Sequence, residues 1–543
     1  MSVITSVTVS ASPPAATGDT ATTVLAAEGG FLGSIEEGIN NVFQPVTDAL
    51  SGFVFGEVTV GSISFPWIVA WLILAATIFS IYFGFIQFRK FKLAIDIVRG
   101  KYTDKSEPGE INHFQALSSA ISGTVGLGNI AGVGVAVTIG GAGATFWMIV
   151  AGLLGMCTKF VECTLGVKYR EVHEDGTVSG GPMQYLRKGL AERIPNAFGS
   201  VLGKVLAVLA AIMLLFFALA GGNMFQANQT FAQLRDVTGG ADGFLGSDGA
   251  AFVFGVLLAV IVGLVIIGGI KSVGAVTSRL VPSMAIIYIA ACLIVIGVNI
   301  DAVPAAFGEI ISGAFSAEGV AGGVVGALIC GFQRAAFSNE AGLGSAPIAH
   351  SAVKTKNPIT EGYVALLEPF IDTVVVCTMT ALTIVIAKTQ FWEDAKLAYV
   401  QNGETADGVT VTSESFATVL PWFPYVLTLA VALFAISTMI TWGYYGQKAW
   451  GYLFGESRGS ERTYQVIFCV FIVAGCVLTL GSVLDFADAV LFLLALFNII
   501  GLYILVPVVR NEVKDFAAKL RSGEVKRVDK GEPSEPPQTD KVG

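Results

Sequence analysis

Residues Gly123–Gly132 read GTVGLGNIAG, rich in glycine and carrying Thr124 and Asn129 inside an apolar run long enough to cross a bilayer. Glycine is the poorest helix former after proline, and in hydrocarbon each backbone polar group needs a partner within the protein. Irregular backbone at that depth is tolerated only where protein covers it or where it lines a cavity. Unwinding leaves N–H groups at the positive end of one half-helix and C=O groups on the other. The first suit a carboxylate, the second a sodium ion or an ammonium group. Glycine permits the unwound backbone and lets a small ligand approach it closely. Glycines placed only for close helix packing are the alternative, and GGAGA at Gly140–Ala144 fits it. In Gly123–Gly132 that alternative leaves the side chains of Thr124 and Asn129 unexplained.

The chain of 543 residues is 54% apolar and 13% charged, with 64 glycines. A soluble domain carries about a quarter charged residues, so this is the balance of a polytopic membrane protein, in which glycine is commoner than in soluble helices. The seven cysteines and three histidines form no C-x-x-C pair and no metal spacing. Residues 1–88 contain no Lys or Arg but include Asp19, Glu28, Glu36, Glu37, Asp48 and Glu57, which argues against nucleic-acid binding and against the basic start of a signal peptide. Residues 1–30, rich in Ala, Thr and Ser, are expected to be a disordered extracellular extension. Residues 31–60 read as an amphipathic interfacial segment, with Ile35, Ile39, Val46 and Leu50 at helical spacing.

Runs of about 20 apolar residues, the length of one crossing, fall at 65–88, 115–139, 144–168, 203–222, 251–270, 281–300, 319–340, 364–387, 425–447, 463–481 and 485–508. The loops test this count of eleven. Starting outside, the loops after spans one, three, five, seven and nine and the tail from Arg510 are basic. Only Arg235, Lys388 and Lys396 fall on the other side, and only Lys159 and Arg334 inside spans. By the positive-inside rule the N-terminus is outside and the C-terminus cytoplasmic.

Span seven holds a second interruption, ICGFQRAAFSNEAGLGS (Ile329–Ser345). Spans two to six and seven to eleven thus form two units of five, and an odd number of spans inverts the second unit relative to the first. Paired interrupted helices in inverted halves are the best sequence pointer to a secondary-transporter binding site. The divisions expected are 61–110 for an extra helix and cytoplasmic loop, 111–300 and 301–510 for the repeats, and 511–543 for a cytoplasmic tail.

Four stretches, SGTVGLGNIAGV, GGAGATFWMIVAGLLGMCTKFVE, GFQRAAFSNEAGLGSAPIAHSAVKT and EGYVALLEPFIDTVVVCTMTAL, resemble the alanine or glycine:cation symporter family over about Val60 to Val509. Thr145 and Ile149 depart from that pattern at the start of span three. The resemblance implies an all-α leucine-transporter-type fold: eleven helices in a 5+5 inverted repeat with two broken helices, plus one extra N-terminal helix. It also implies sodium-coupled uptake of a small neutral amino acid, alanine or glycine, across the cell membrane. From the unwound helix of that fold, the carbonyls of Ser122 and Val125 are expected to face sodium. Thr124, Gly128 and Asn129 are expected at the substrate carboxylate or a second ion, with Leu127 narrowing the pocket. By the same resemblance Phe332 and Ala336 contact the substrate side chain.

Other candidates come from the residues themselves. Asn223 and Gln226 share a face at i, i+3 in span four. An amide can accept from an ammonium and donate to a carboxylate, so Gln226 either grips the amino acid or bonds a neighbouring helix. Ser437, Thr438 and Thr441 put hydroxyl oxygens within one turn of span nine. Combined with backbone carbonyls they suit sodium, whereas calcium prefers carboxylates. Trp442 closes the pocket or packs. Arg334 and Glu340 read as structural or gating ion pairs. Glu368 and Asp372 read as a cytoplasmic helix start meeting Lys354 or Lys356, and nothing marks His113, His173 or His350 as a proton relay. An enzyme would need a nucleophile with a base or a metal cluster at bilayer depth, and the sequence has neither. A channel-like pore, proton coupling and glutamine as substrate remain open alternatives.

Overall fold

The computed structural model describes residues 44–527 except 61–62, 103–105, 317–322, 404, 407, 479–480 and 526. The expected extension at 1–30, the first part of the amphipathic segment and most of the 511–543 tail lie outside the described residues. What is described of residues 31–60 is a helix at 44–54 followed by the strand Glu57–Val60, which pairs antiparallel with Ile63–Pro66.

The membrane core is helical: α1 Trp67–Tyr82, α2 His113–Thr124, α3 Ala131–Ile139, α4 Gly143–Lys168, α5 Pro182–Arg193, α6 Ala197–Leu219, α7 Phe225–Val237, α8 Asp248–Ile266, α9 Gly269–Val298, α10 Val303–Phe315, α11 Gly323–Asn339, α12 Ala346–His350, α13 Pro358–Ala365, α14 Thr378–Ala387, α15 Gly408–Ala417, α16 Phe423–Phe454, α17 Arg458–Val477 and α18 Gly481–Ser522. Among the described residues, 8 helices are long and apolar enough to cross a membrane, and α2 with α3 makes a ninth crossing bent by 62°. The first expected span is the 16-residue α1, and the seventh is α11 followed by α12 after a break.

Hydropathy misplaces several span ends, among them the start of span six, at Gly269 instead of 281. Span four runs on through a π-helical turn at Ala220–Met224 into α7, so one element covers Ala197–Val237. Span eleven continues to Ser522, with Pro507 inside it. A hydropathy window stops at the first polar residues, but Asn223, Gln226 and Thr230 are buried between helices and donate to backbone carbonyls there.

α4 is the hub. It packs on α11, α12 and α13, and α2 packs on α12, so the two broken elements, α4 and the α13–α14 element form one bundle. α9 and α16 pack against α2, and α6 packs on α16 and α18. α1 caps the bundle's edge, with Trp71 and Phe79 stacked on Tyr503 at 5.4 and 5.3 Å and Phe83 on Phe160 at 5.3 Å.

Candidate substrate and ion site

The first break follows from local chemistry. Asn112 caps α2, accepting from Gln115 N at 2.9 Å, and the helix runs to Thr124. Val125 and Gly126 are then extended, a single 3₁₀ turn covers Leu127–Asn129, and α3 begins at Ala131. Asn129 holds this geometry: its Oδ1 accepts from Gly126 N at 2.9 Å, and its backbone carbonyl accepts from Thr380 Oγ1 at 2.9 Å. Gly126 has no room for a side chain, because a Cβ there would lie 2.8 Å from Thr438 Oγ1. The second break starts where α11 ends at Asn339. Glu340 takes a left-handed conformation (φ 55°), and α12 resumes at Ala346.

Against the inner side of the first break stands a set of oxygens. Ser122 Oγ donates to Ser437 O at 2.7 Å and lies 2.6 Å from Ser437 Oγ. Thr438 Oγ1 donates to Ser122 O at 3.2 Å, and Thr441 Oγ1 donates to Ser119 O at 3.2 Å and to Ser122 Oγ at 2.9 Å. All of these side chains are buried, and so is Val125. The structure therefore brings Ser122, Ser437, Thr438 and Thr441 together across α2 and α16. The cluster offers hydroxyl and carbonyl oxygens without a carboxylate, the donor set of a monovalent ion.

Beside the break, Gln226 Nε2 donates to Gly221 O at 3.1 Å while its buried Oε1 has no partner. Asn223 donates to Phe468 O at 2.8 Å, and its Oδ1 is likewise bare. Trp442 Nε1 donates to Gly123 O at 3.3 Å, and its ring packs on Phe217 at 4.6 Å and Tyr445 at 5.4 Å. A cavity of about 240 Å³ reaches the break at Leu127 and Gly128 and the π-turn at Gly221. Gln229, Arg334, Phe337 and Asp488 also line it.

The face expected on span seven does not line this cavity. Phe332 stacks toward Trp147 at 6.4 Å, and neither Phe332 nor Ala336 lines the cavity. Phe337 and Ser338 are the residues next to Gly128, with Phe337 Cδ1 3.5 Å from a Cβ built there. At about 100° per residue, Arg334, Phe337 and Ser338 lie on nearly the opposite face of the helix from Phe332 and Ala336.

The acidic pair of span eight also differs from the reading at a cytoplasmic cap. Asp372 lies in a π-helical stretch at Phe370–Cys377 and is buried at the break. Its Oδ1 accepts from Asn129 Nδ2 at 2.6 Å, and its Oδ2 from Ser338 Oγ at 2.8 Å and Thr373 Oγ1 at 2.7 Å. Glu368 meets His350 at 2.6 Å and Lys159 at 3.3 Å rather than Lys354 or Lys356. Glu340 accepts from Ser345 Oγ at 2.5 Å, and Arg334 faces the cavity instead of Glu340. The one signal that could have found Asp372 is the run of Thr373, Cys377 and Thr380 on its own helix, all polar or soft groups at bilayer depth.

Two interrupted membrane helices whose breaks meet inside a shared bundle are the arrangement typical of secondary transporters. Residues 52–530 match the sodium:alanine symporter family. The chain belongs to that family. Among its relatives are the sodium/alanine symporter AgcS of Methanococcus maripaludis, 36% identical over 89% of this chain and 99% of that protein, and a Bacillus subtilis protein named "Probable sodium/glutamine symporter GlnT", 31% identical over 83% of this chain and 89% of that one. The crystal structure of MhsT in complex with L-phenylalanine has the same fold, with a TM-score of 0.50 at 14% identity, covering 74% of this chain and 89% of that one.

Proposed function

We propose that this protein carries a small neutral amino acid, alanine or glycine, into the cell together with sodium by alternating access. The observation that carries this reading is the convergence of Ser122, Ser437, Thr438 and Thr441 on an unwound helix, with the bare Gln226 Oε1 beside them, 3.8 Å from a Cβ built on Gly126. In this reading the architecture is eleven spans in two inverted units of five behind one extra helix, with the N-terminus outside. Sodium binds between α2 and α16, drawing on the carbonyls of Ser122 and Val125. It fixes the extended Val125–Gly126 segment, so that Thr124 and Gly128 face the amino acid's carboxylate, with Asn129 holding that segment from behind, while Gln226 accepts from its ammonium. Because sodium and substrate share that segment, each raises the other's affinity. The bundle then rocks against the surrounding helices and both ligands leave to the cytoplasm.

The direct test is uptake of radiolabelled alanine into liposomes holding the purified protein, with an inward sodium gradient imposed or collapsed. Accumulation above equilibrium that vanishes with the gradient is the expected result. Equilibration regardless of sodium would overturn the coupling and favour a proton-driven or uncoupled carrier. Thr438→Ala is expected to weaken apparent sodium affinity by about tenfold, the loss of one charge-assisted contact. Substrate affinity at saturating sodium should change far less. Equal losses in both, read from uptake against sodium concentration, would remove Thr438 from the ion site.

Glutamine is the second reading. The cavity beside the break holds about 240 Å³ and ends on Gln229, Arg334 and Asp488, room and polar groups beyond what alanine needs. Competition by unlabelled glutamine at micromolar concentration would shift the assignment toward it.

A further inference from the structure

The cytoplasmic half of the bundle contains a chain of buried ionisable groups that the transport reading does not use. His113 Nδ1 contacts Glu361 Oε1. The other oxygen of Glu361 lies 2.5 Å from His350 Nδ1, and His350 Nε2 lies 2.6 Å from Glu368 Oε1. Glu368 Oε2 is 3.3 Å from Lys159 Nζ. None of these five side chains is more than 2% exposed.

Counting protons along this chain gives a definite answer. Three imidazole nitrogens sit at hydrogen-bond distance from carboxylate oxygens, and each contact needs one proton. A neutral imidazole carries a single N–H, so two neutral histidines fill only two of the three contacts. The chain holds one proton more. With that proton on His350, the imidazolium and the Lys159 ammonium balance Glu361 and Glu368, as buried charges require.

The surroundings favour holding the proton. Cys163 lies beside His350 and Glu368. Glu162 and Glu340 face Lys159 from α4 and from the second break, and Asp372 lies beyond Glu340. Arg170 is the further cation near Glu361. Glu162 Oε1 accepts from Gly344 N at 2.8 Å and Asn498 Nδ2 at 2.6 Å, but its Oε2 is buried and bare. At the other end, His113 is the first residue of α2, between exposed Asn112 and Phe114.

We propose that this chain is a proton-binding site, its excess proton held at His350 and exchanged with the cytoplasm through Glu361 and His113. The cytoplasmic assignment rests on the orientation proposed above, whereas the proton itself does not depend on sodium coupling or on the substrate. The transporter's bundle then responds to internal pH, because loss of that proton leaves a buried contact unfilled beside Glu162 and Glu340.

The chain has three histidines, which makes the test direct. Full-length protein carrying ¹⁵N-labelled histidine is placed in lipid bilayers and its imidazole nitrogens are read by solid-state NMR. At about pH 8, well above the ordinary histidine value of about 6.5, one imidazole is expected to remain doubly protonated. His173→Gln, at a half-buried site on a loop hairpin, should leave that signal in place, and His350→Gln should remove it. All imidazoles neutral at that pH in the unsubstituted, folded protein would overturn the proposal without recourse to any variant. His113→Gln should slow solvent exchange of the remaining imidazolium protons by about tenfold or more, as removal of a shuttle does. Unchanged exchange would overturn the route through His113.

Discussion

Asp372→Asn is expected to reduce amino-acid uptake by about 100-fold or more while the protein still reaches the membrane. The carboxylate is buried, and all its contacts are donors: Asn129 Nδ2 at 2.6 Å, Ser338 Oγ at 2.8 Å and Thr373 Oγ1 at 2.7 Å. An amide turns half of that acceptor into another donor, leaving at least one of these groups facing an N–H. Leaving a buried group unsatisfied costs about 1–3 kcal/mol, and more beside a charge, and about 1.4 kcal/mol is a factor of ten. The loss falls on the break, because Asn129 also fixes Gly126 N at 2.9 Å and is itself held through its carbonyl by Thr380. Uptake at subsaturating alanine, with thermal unfolding of the same preparation as a control, checks it. Activity within about threefold of the parent, under 1 kcal/mol, would show that the break stands without the carboxylate.

Gly222→Ala carries the second large effect. A Cβ there would lie 2.4 Å from Trp442 Cγ and 2.6 Å from its Cβ, too close for either to stay. Trp442 has nowhere to retreat, boxed by Phe217 and Tyr445 and tied to Gly123 O. Overpacking of this kind costs about 1–3 kcal/mol. Here it pushes the indole onto the first break, so apparent substrate affinity should fall by roughly 10- to 100-fold. Combining Gly222→Ala with Trp442→Phe should recover part of the loss, because the smaller ring leaves space. A double variant no better than the two losses added would show that Gly222 acts elsewhere.

The break in span two was legible because its residues have no other use at bilayer depth: Gly126, Gly128 and Asn129 contradict a plain apolar helix on their own. The hydroxyls of span nine were legible for the same reason, since Ser437, Thr438 and Thr441 lie within one turn of an otherwise apolar segment. Asp372 was not. A carboxylate near the end of a hydropathy run reads as surface until its partners are known, and two of them, Asn129 and Ser338, come from other helices. His350 was hidden likewise, since Glu361 and Glu368 reach it from a different span. That Phe337 lines the cavity was not legible, because helical phase at a break depends on where α11 begins to turn, which spacing alone does not fix.

The π-turn at Ala220–Met224 and the longer one at Phe370–Cys377 each hold surplus chain in an otherwise regular helix. Relatives are thereby free to differ by a single residue at these notches without a loop to absorb it. Deleting one residue at Gly221 or Gly222 would restore an ordinary helix with the register on either side kept, since the notch is what absorbs the extra residue. Gln226 and Gln229 would stay on their faces, but the contact of Gln226 Nε2 to Gly221 O at 3.1 Å would be lost. In aligning family members, a one-residue gap at this notch is therefore no shift of the helix beyond it, and its trace is a freed Gln226 amide.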